Sequence, residues 1–385
     1  MRAFLPIVFL YGTGLCASMQ VGLVGPIANM LRGQFDLSQA EFGLVASLIT
    51  AAGALCALPA GIWAARLGLK QAVIAGAVTM ALGALVFSQA DHVAFLYIGR
   101  FLTSIGYLLI VVSAPSWMTH LGDRRVVALA MGLWGTFVPV GIALGTWISA
   151  GLSAWLGWRV AVMGCALPGL VFILPLMLRT APAREGFSRS LTNGIMGVLR
   201  DKNALAVSLT FAIFGGTTSA TVAFMPAMLM ERLDIGLTLA ATIIGVTTII
   251  GNIGGSLLGG ILLGRNVQGR LLLLIGLPLM AVSIAIIYSA SGLITVMIVL
   301  CAFNVGQGIV AGTCFALLPR IAGKTLSMPA LQGMLAQFAE IFVVIIPPVS
   351  GLIIDDFSWS GAAFAFALFY LLAMIIAGKR ISIMA

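Results

Sequence analysis

The sequence predicts an all-α membrane protein in which twelve transmembrane helices form two pseudo-symmetric six-helix bundles. Of its 385 residues, 61% are hydrophobic and 8% are charged, and the mean hydropathy is +1.16. Soluble domains carry about 25% charged residues, so this chain has too little polar surface to cover a core in water. Lipid is therefore the expected solvent for most of the chain.

Apolar stretches long enough to cross a bilayer recur from one end of the chain to the other. Twelve of them reach the length of roughly 20 residues that a spanning helix needs. Because similar stretches follow it throughout and no small-residue cleavage site stands out, we interpret the N-terminal stretch as the first membrane helix rather than a signal peptide. The twelve stretches are centred at about residues 18, 52, 80, 106, 139, 168, 217, 251, 280, 306, 341 and 370.

The longest polar segment, residues 179–203, lies near the middle of the chain. Its position predicts a cytoplasmic linker between an N-terminal six-helix bundle, residues 1–178, and a C-terminal six-helix bundle, residues 204–385. The segment contains five basic residues: Arg179, Arg184, Arg189, Arg200 and Lys202.

Most of the 20 Lys and Arg residues fall in alternate connections, on the side of the linker. Cytoplasmic loops of membrane proteins carry this excess of basic residues, so the pattern predicts that both termini are cytoplasmic. We expect a multi-pass protein of the bacterial inner membrane. In a soluble protein the net charge of +9 would suggest a nucleic-acid partner, but here the charge is explained by topology and no nucleic acid is expected.

The two halves of the chain repeat one another at an offset of about 200 residues. Membrane folds built from such repeats place their ligand sites near the bilayer midplane, where the repeats meet. We therefore expect the chemistry of the chain to lie in polar side chains within the spans. The residues that match at this offset include Gly132, Phe137, Ser149 and Trp158 against Gly333, Phe338, Ser350 and Trp359.

The loop after the second predicted span reads GIWAARLGLK and resembles a signature of the major facilitator superfamily of transporters. That signature, G-x-L-x-D-R-x-G-R-K, joins helices two and three and helps to gate the cytoplasmic side. Ala65 stands where the family has an acid that locks the two halves together, so that particular latch is absent here. The gating-loop positions that match are Gly61, Arg66, Gly68 and Lys70.

Three further stretches carry the resemblance over essentially the whole chain. The segment Gly99–Gly106 is similar to the family's fourth-helix motif, in which an Arg precedes a Gly. The segment Gly141–Ala150 keeps two glycines of the fifth-helix antiporter motif but has lost its Pro and its final Gly pair, which argues against efflux. The stretch Gln332–Trp359 resembles the eleventh helix of cyanate-permease-like members.

The resemblance implies the major facilitator fold and a secondary transporter that works by alternating access. Its implied partners are a small organic or anionic solute, protons as the coupling ion and the lipid bilayer, and the family is usually monomeric. No cofactor and no metal site are expected, because the sequence has no Walker loop and no dinucleotide glycine pattern.

Two charged residues lie well inside the predicted spans. A charge in the membrane interior costs about 2.5–3.5 kcal/mol, so such residues face a cavity or a partner. Arg100 is the candidate anchor for the solute, since its guanidinium matches a carboxylate. Glu340 is the candidate proton carrier, because burial favours its neutral form and a nearby cation its charged form. The alternative is that each residue only braces helix packing, and the sequence does not decide whether the two pair.

Neutral polar side chains at helical spacing supply further candidates. Residues three, four or seven apart share one face of a helix and can line a wall. The same side chains could instead hold helices together by hydrogen bonds. The expected solute-binding residues, besides Arg100, are Gln20, Tyr107, Thr217, Asn304, Gln307 and Gln337.

The function predicted from these features is proton-coupled uptake of a small solute. One alternative is proton-driven efflux of a drug or metabolite. An alternative of another class is a membrane sensor or enzyme that transports nothing. That class should carry a soluble output domain or a cluster of catalytic side chains, and the sequence shows neither.

Overall fold

A computed structural model describes residues 4–179, 191–290, 292–323 and 326–381 of the chain. Helices dominate these residues, and no strand occurs among them. The central part of the predicted linker, residues 180–190 with Arg184 and Arg189, lies outside the described residues. Within the described part, twelve helical segments are long and apolar enough to cross a membrane, which confirms the predicted number.

The helices of the first half are α1 (Phe4–Gly22), α2 (Ala28–Phe35), α3 (Gln39–Leu67), α4 (Leu69–Ser88), α5 (Val93–Met118), α6 (Arg124–Trp134), α7 (Phe137–Leu156) and α8 (Trp158–Met177). Those of the second half are α9 (Leu191–Arg200), α10 (Lys202–Leu233), α11 (Leu237–Gly264), α12 (Gly269–Ser289), α13 (Leu293–Ala322) and α14 (Met328–Arg380).

Three spans differ from their predicted form. The fifth was centred near residue 139, but a break at Gly135 and Thr136 separates the short α6 from α7, and the membrane candidate is Phe137–Leu156. The eleventh and twelfth spans follow each other within α14, where only Ser358, with φ 60° and ψ −173°, departs from helical geometry. This positive φ is rare for a residue with a side chain, and here it interrupts α14 near the start of the last membrane candidate, Asp356–Lys379.

The offset of about 200 residues is visible in equivalent side-chain contacts. The indole nitrogen of Trp158 donates to Gln34 Oε1 at 2.8 Å, and that of Trp359 donates to Glu231 Oε2 at 2.7 Å. The ring partners of the two indoles are equivalent as well, and both pairs are edge-to-face: Phe87 with Trp158 and Tyr288 with Trp359.

Close helix packing repeats at the same offset. A Cβ atom placed on Gly106 of α5 would lie 2.5 Å from the carbonyl oxygen of Gly76 in α4, and one on Gly306 of α13 would lie 3.0 Å from that of Gly276 in α12. Small residues at these crossings let two backbones approach closely, as is common between membrane helices. The pseudo-symmetry inferred from the sequence therefore extends to backbone contacts.

The chain divides into two compact units. Unit 1 comprises Met1–Asp123, Phe137–Met196 and Leu326–Gln337, and unit 2 comprises Arg124–Thr136, Gly197–Thr325 and Phe338–Ala385. Each unit thus contains a short segment from the opposite half of the chain. The boundaries predicted at residues 178 and 204 remain a prediction.

Candidate functional site

Arg100 of α5 is the buried cation of unit 1, with 2% of its surface exposed. Its Nη1 donates to the backbone oxygen of Gln20 at 2.7 Å. Its Nε donates to Val45 at 3.0 Å and its Nη2 to Ala46 at 3.2 Å, again to backbone oxygens. The last carbonyls of a helix lack intrahelical donors and carry partial negative charge. Arg100 therefore caps the end of α1 and ties it to α3.

Two hydroxyls of α7 complete the cap on α1. Thr146 Oγ1 lies 2.9 Å from the backbone oxygen of Ile142 and 3.2 Å from that of Gly22 and can donate its proton to either, and Ser149 Oγ donates to that of Leu23 at 2.7 Å. These hydroxyls occupy positions where the antiporter motif has a proline and a glycine. The hydroxyls can donate hydrogen bonds to the carbonyls at the end of α1, which the side chains of proline and glycine cannot do.

A narrow crevice adjoins this cap and is too tight to hold a water molecule. Gln20 lines it and is almost fully buried, and its Nε2 finds no acceptor among the described residues. Tyr107 lies two helical turns beyond Arg100 on α5 and is buried. The residues lining the crevice are Gln20, Leu23, Ala84, Phe87, Arg100, Thr103 and Val162.

Two polar candidates of unit 2, Asn304 and Gln307, lie where α11 packs on α13. Asn252 Nδ2 donates to Gln307 Oε1 at 3.1 Å. Asn304 Nδ2 donates to the backbone oxygen of Leu300 at 2.9 Å and lies 3.5 Å from Thr247 Oγ1. The bond from Asn252 joins α11 to α13 and engages the candidate Gln307 in helix packing.

Thr217 of α10 is fully buried, and its hydroxyl has no partner among the described residues. The next residue, Thr218, lies 3.3 Å from the hydroxyl of Tyr370 in α14. The sequence analysis did not single out this pair, since an isolated Thr and a Tyr 152 positions later carry no local signal.

Glu340 of α14 is half-buried in the middle of the span Met328–Ile354. No hydrogen bond or ion pair joins its carboxyl group to any of the described residues. A carboxyl group at this depth is costly without a partner, which favours a group that meets a solute or a proton during function.

Helix α3 contains a break near its middle. Cys56 has φ −146° and ψ 21°, which interrupts the helical path. Pro59 lies inside the same helix and has no N–H, so the carbonyl of Leu55 lacks its intrahelical donor. The kink therefore leaves backbone groups that must find partners elsewhere.

The side-chain amide of Gln337 supplies those partners. Its Oε1 accepts from the backbone nitrogen of Leu58 at 3.0 Å. Its Nε2 donates to the backbone oxygens of Ala54 at 3.2 Å and Leu55 at 3.3 Å. Both amide hydrogens are thus engaged, and this geometry favours a bracing role for Gln337 over the solute contact predicted from the sequence.

The glycines of the predicted gating loop have structural roles. Gly68 joins α3 to α4 with φ 98° and donates its N–H to the carbonyl of Ala64, a backbone conformation that favours glycine. A Cβ atom on Gly61 would overlap the carbonyl oxygen of Pro329, so α3 and the start of α14 touch backbone to backbone.

The two basic residues of the loop are at least partly exposed. Lys70 Nζ donates to the backbone oxygens of Met177 at 2.6 Å and Arg179 at 3.0 Å, and so caps the end of α8. Arg66 is exposed in the last turn of α3.

The chain is similar to known proteins over most of its length. The model of the Major Facilitator Superfamily matches residues 10–339. The chain is 26% identical over 226 residues to Myo-inositol transporter 3A of Cryptococcus neoformans, covering 54% of this chain and 38% of that protein. It is 23% identical over 354 residues to Multidrug resistance protein 2 of Bacillus subtilis, covering 88% and 86%. The chain thus spans well under half the length of the first curated relatives it matches.

Solved structures share the fold at low sequence identity. The transporter FucP in its outward conformation superposes with a TM-score of 0.81 at 20% identity, covering 99% of both chains. The proton:xylose symporter XylE superposes with a TM-score of 0.80 at 15% identity, covering 99% of this chain and 96% of that one. At these identities the likeness shows the architecture and no more.

Proposed function

Because this chain belongs to the Major Facilitator Superfamily, we propose that it is a secondary active transporter that takes up a small organic or anionic solute together with protons by alternating access. Glu340 carries the proton-coupling part of this proposal. It is a carboxyl group in the middle of a span, and it has no ionic or hydrogen-bonding partner among the described residues. A group in that setting can bind and release a proton as its surroundings change.

We assign the solute contacts to hydroxyl and amide side chains with spare hydrogen-bonding capacity. Gln20 Nε2 and Thr217 Oγ1 are buried without partners, and Asn304 and Gln307 each keep capacity beyond the bonds described above. Such groups suit a solute rich in hydroxyls. Relatives named for myo-inositol and for arabinose–proton symport support this chemistry.

An anionic solute is supported by two other features. Arg100 places a buried cation beside Gln20, and the stretch Gln332–Trp359 resembles cyanate-permease-like members. We therefore propose that the chain belongs to the cyanate-permease-like branch. Tyr107, on the same helix as Arg100, would contact either type of solute through its ring or its hydroxyl group.

We also propose the membrane location, the orientation and the oligomeric state of the transporter. The distribution of basic residues supports the bacterial inner membrane with both termini in the cytoplasm. We expect a monomer. Tags on the two ends of the chain, probed in right-side-out and inverted vesicles, test the orientation, and tags on opposite faces would contradict it.

Transport of named solutes in proteoliposomes tests the function. Vesicles holding the purified protein receive labelled myo-inositol, arabinose or cyanate, with and without a pH gradient that is acidic outside. We expect the gradient to drive accumulation of one of them. Glu340→Gln should abolish gradient-driven accumulation while solute counterflow without a gradient persists, since an amide carries no proton.

Glu231→Gln is the matched control, because Glu231 is an exposed carboxylate that accepts from Trp359. This variant should keep the response to the gradient. Full coupling in Glu340→Gln would show that Glu340 is not the carrier.

Efflux is the second candidate function. The similarity to Multidrug resistance protein 2 extends over 88% of this chain, which favours it. Reversing the gradient in the same vesicles separates the two directions. Accumulation of a lipophilic cation that requires an acidic interior would support efflux and contradict uptake.

Arg100 is tested by separating solute affinity from stability. Arg100→Lys keeps the positive charge but cannot donate to three carbonyls in the same geometry. If Arg100 anchors an anionic solute, KM should rise in Arg100→Ala much more than in Arg100→Lys. Equal losses of thermal stability with an unchanged KM would make it a cap on α1 only.

A further inference from the structure

One hydrogen bond of the α3 backbone is replaced by a side chain from α14. In a regular α-helix the N–H of Leu58 would donate to the carbonyl of Ala54, four residues earlier. Here each of these groups bonds instead to the amide of Gln337, which lies 279 residues away from Leu58 in sequence. Insertion of a side chain into the backbone ladder is one of the recognised causes of a sharp helix kink.

The kink depends on this amide because α3 alone cannot supply hydrogen-bond partners for all of its own backbone groups. The ring of Pro59 removes the donor for Leu55, and the dihedral angles of Cys56 interrupt the ladder between them. An unpaired backbone group in an apolar setting is expensive, and no water is present in hydrocarbon to relieve it. Gln337 therefore supplies three hydrogen bonds that the kinked helix lacks.

Two glycines allow Gln337 to reach the backbone of α3. A Cβ atom on Gly333, about one turn before Gln337, would overlap the carbonyl oxygen of Ala57. A Cβ atom on Gly61 of α3 would overlap the carbonyl oxygen of Pro329. The segment of α14 within unit 1, residues 326–337, is thus held against α3 in one register by contacts between backbones.

We propose that Gln337 is a positioning residue, a latch that holds the kinked α3 and the segment 326–337 together by replacing the missing backbone bonds at Ala54, Leu55 and Leu58. This inference rests on the proposed function in one respect. Alternating access requires contacts between the two halves of the chain to be released, and release here would break three hydrogen bonds in one step. Gln337 then sets the stability of the conformation described above rather than the affinity for solute.

Hydrogen exchange of the full-length protein in lipid nanodiscs tests the latch without any solute. The readout is the exchange rate of the α3 peptide that contains Cys56, Ala57 and Leu58. Gln337→Leu should speed this exchange by about 2- to 12-fold, the factor expected when the one backbone N–H that bonds to Gln337, that of Leu58, loses its hydrogen bond in a local opening equilibrium. Exchange elsewhere in α3 should stay the same.

Gln332→Leu is the matched control on the same helix. Gln332 is more deeply buried than Gln337, and its Nε2 has no partner among the described residues. This variant should leave exchange at the kink unchanged. Unchanged or slower exchange in Gln337→Leu, or the same increase in both variants, would overturn the latch.

A second variant gives a signature that a simple packing role would not produce. In Gln337→Glu the neutral carboxyl group can donate to one carbonyl and accept from Leu58, whereas the carboxylate has no donor for either carbonyl. The variant should therefore be close to the wild type at pH 5 and lose thermal stability as the pH rises to 8. A difference from the wild type that does not change with pH would contradict the proposal.

These outcomes are independent of the transport assay. If no solute moves in proteoliposomes but exchange and pH dependence behave as expected, the latch stands and the proposed function fails. If transport is found but the exchange at the kink does not respond to Gln337→Leu, the latch fails alone.

Discussion

Two short segments, each packed in the compact unit that holds the opposite half of the chain, make contacts of different kinds. In unit 1, residues 326–337 bind α3 through the amide of Gln337, which bonds three backbone groups. In unit 2, α6 packs on α11 through glycines, and Ser256 Oγ of α11 donates to the carbonyl of Gly132. A Cβ atom on Gly132 would lie 3.0 Å from Cα of Gly260.

The difference concerns what is lost when each contact opens. Separation at Gln337 would leave three backbone groups without these partners, so opening that contact would cost their hydrogen bonds. The crossing of α6 and α11 depends on close van der Waals packing of small residues, which tolerates small shifts. We infer that the first contact acts as a latch. The second, which we call a bearing, allows the two helices to shift slightly while they stay packed.

The largest effect should come from adding one methyl group at each crossing. Gly333→Ala should lower the free energy of unfolding by about 1–3 kcal/mol, because its Cβ overlaps a backbone carbonyl that cannot move aside. Gly132→Ala should cost less, since its nearest atom, the carbonyl oxygen of Ser256, is 2.9 Å away. Thermal unfolding followed by tryptophan fluorescence measures both. Equal losses would remove the distinction between latch and bearing.

A smaller effect is expected from the single hydroxyl of the second contact. Ser256→Ala should cost about 0.5–1.5 kcal/mol, the net value of one hydrogen bond, because Gly132 keeps a backbone donor in Gly135. The control is Ser350→Ala, whose hydroxyl bonds only within its own helix, to Ile346. If Ser256→Ala proves as damaging as Gln337→Leu, the unit 2 contact is also a polar latch.

The smallest effect on stability is expected from Pro59→Ala, and this variant is also the most direct test of what Gln337 does. The new N–H can bond the carbonyl of Leu55, so the variant should be as stable as the wild type or slightly more so. In this background Gln337→Leu should cost less than it does alone, by about 0.5–1.5 kcal/mol for one rescued hydrogen bond. Strictly additive effects would show that Gln337 does not compensate for the proline.

The number of spans and the internal repeat could be predicted because both depend on composition and spacing along the chain. Trp158 and Trp359, matched in sequence, occupy equivalent positions with equivalent hydrogen bonds. The break between α6 and α7 could not be predicted, because Gly135 suits either a helix interior or a helix end. There a Cβ atom would meet Gly312 of α13 at 2.8 Å, a contact that spacing does not reveal.

The candidate residues were found by type, but their partners were not. Arg100 was predicted to anchor an anion, and that stays a prediction; the structure adds that its three nitrogens donate to backbone oxygens, which every residue possesses and no sequence pattern marks. Gln337 was expected to meet a solute, and its partners are backbone groups of a helix whose kink follows from three-dimensional packing. Glu340 was the easier case, since a lone acid in a long apolar run stands out in sequence.

The position of Gln337 within α14 has a consequence for energy conversion. Glu340 follows it by three residues, less than one helical turn, and α14 runs unbroken between them. If Glu340 takes up the driving proton, the change of charge occurs within about 5 Å, along the helix axis, of the amide that fastens α3. The proposed proton site and the proposed latch would then lie on the same helix, and no relay through distant helices would be needed to couple them.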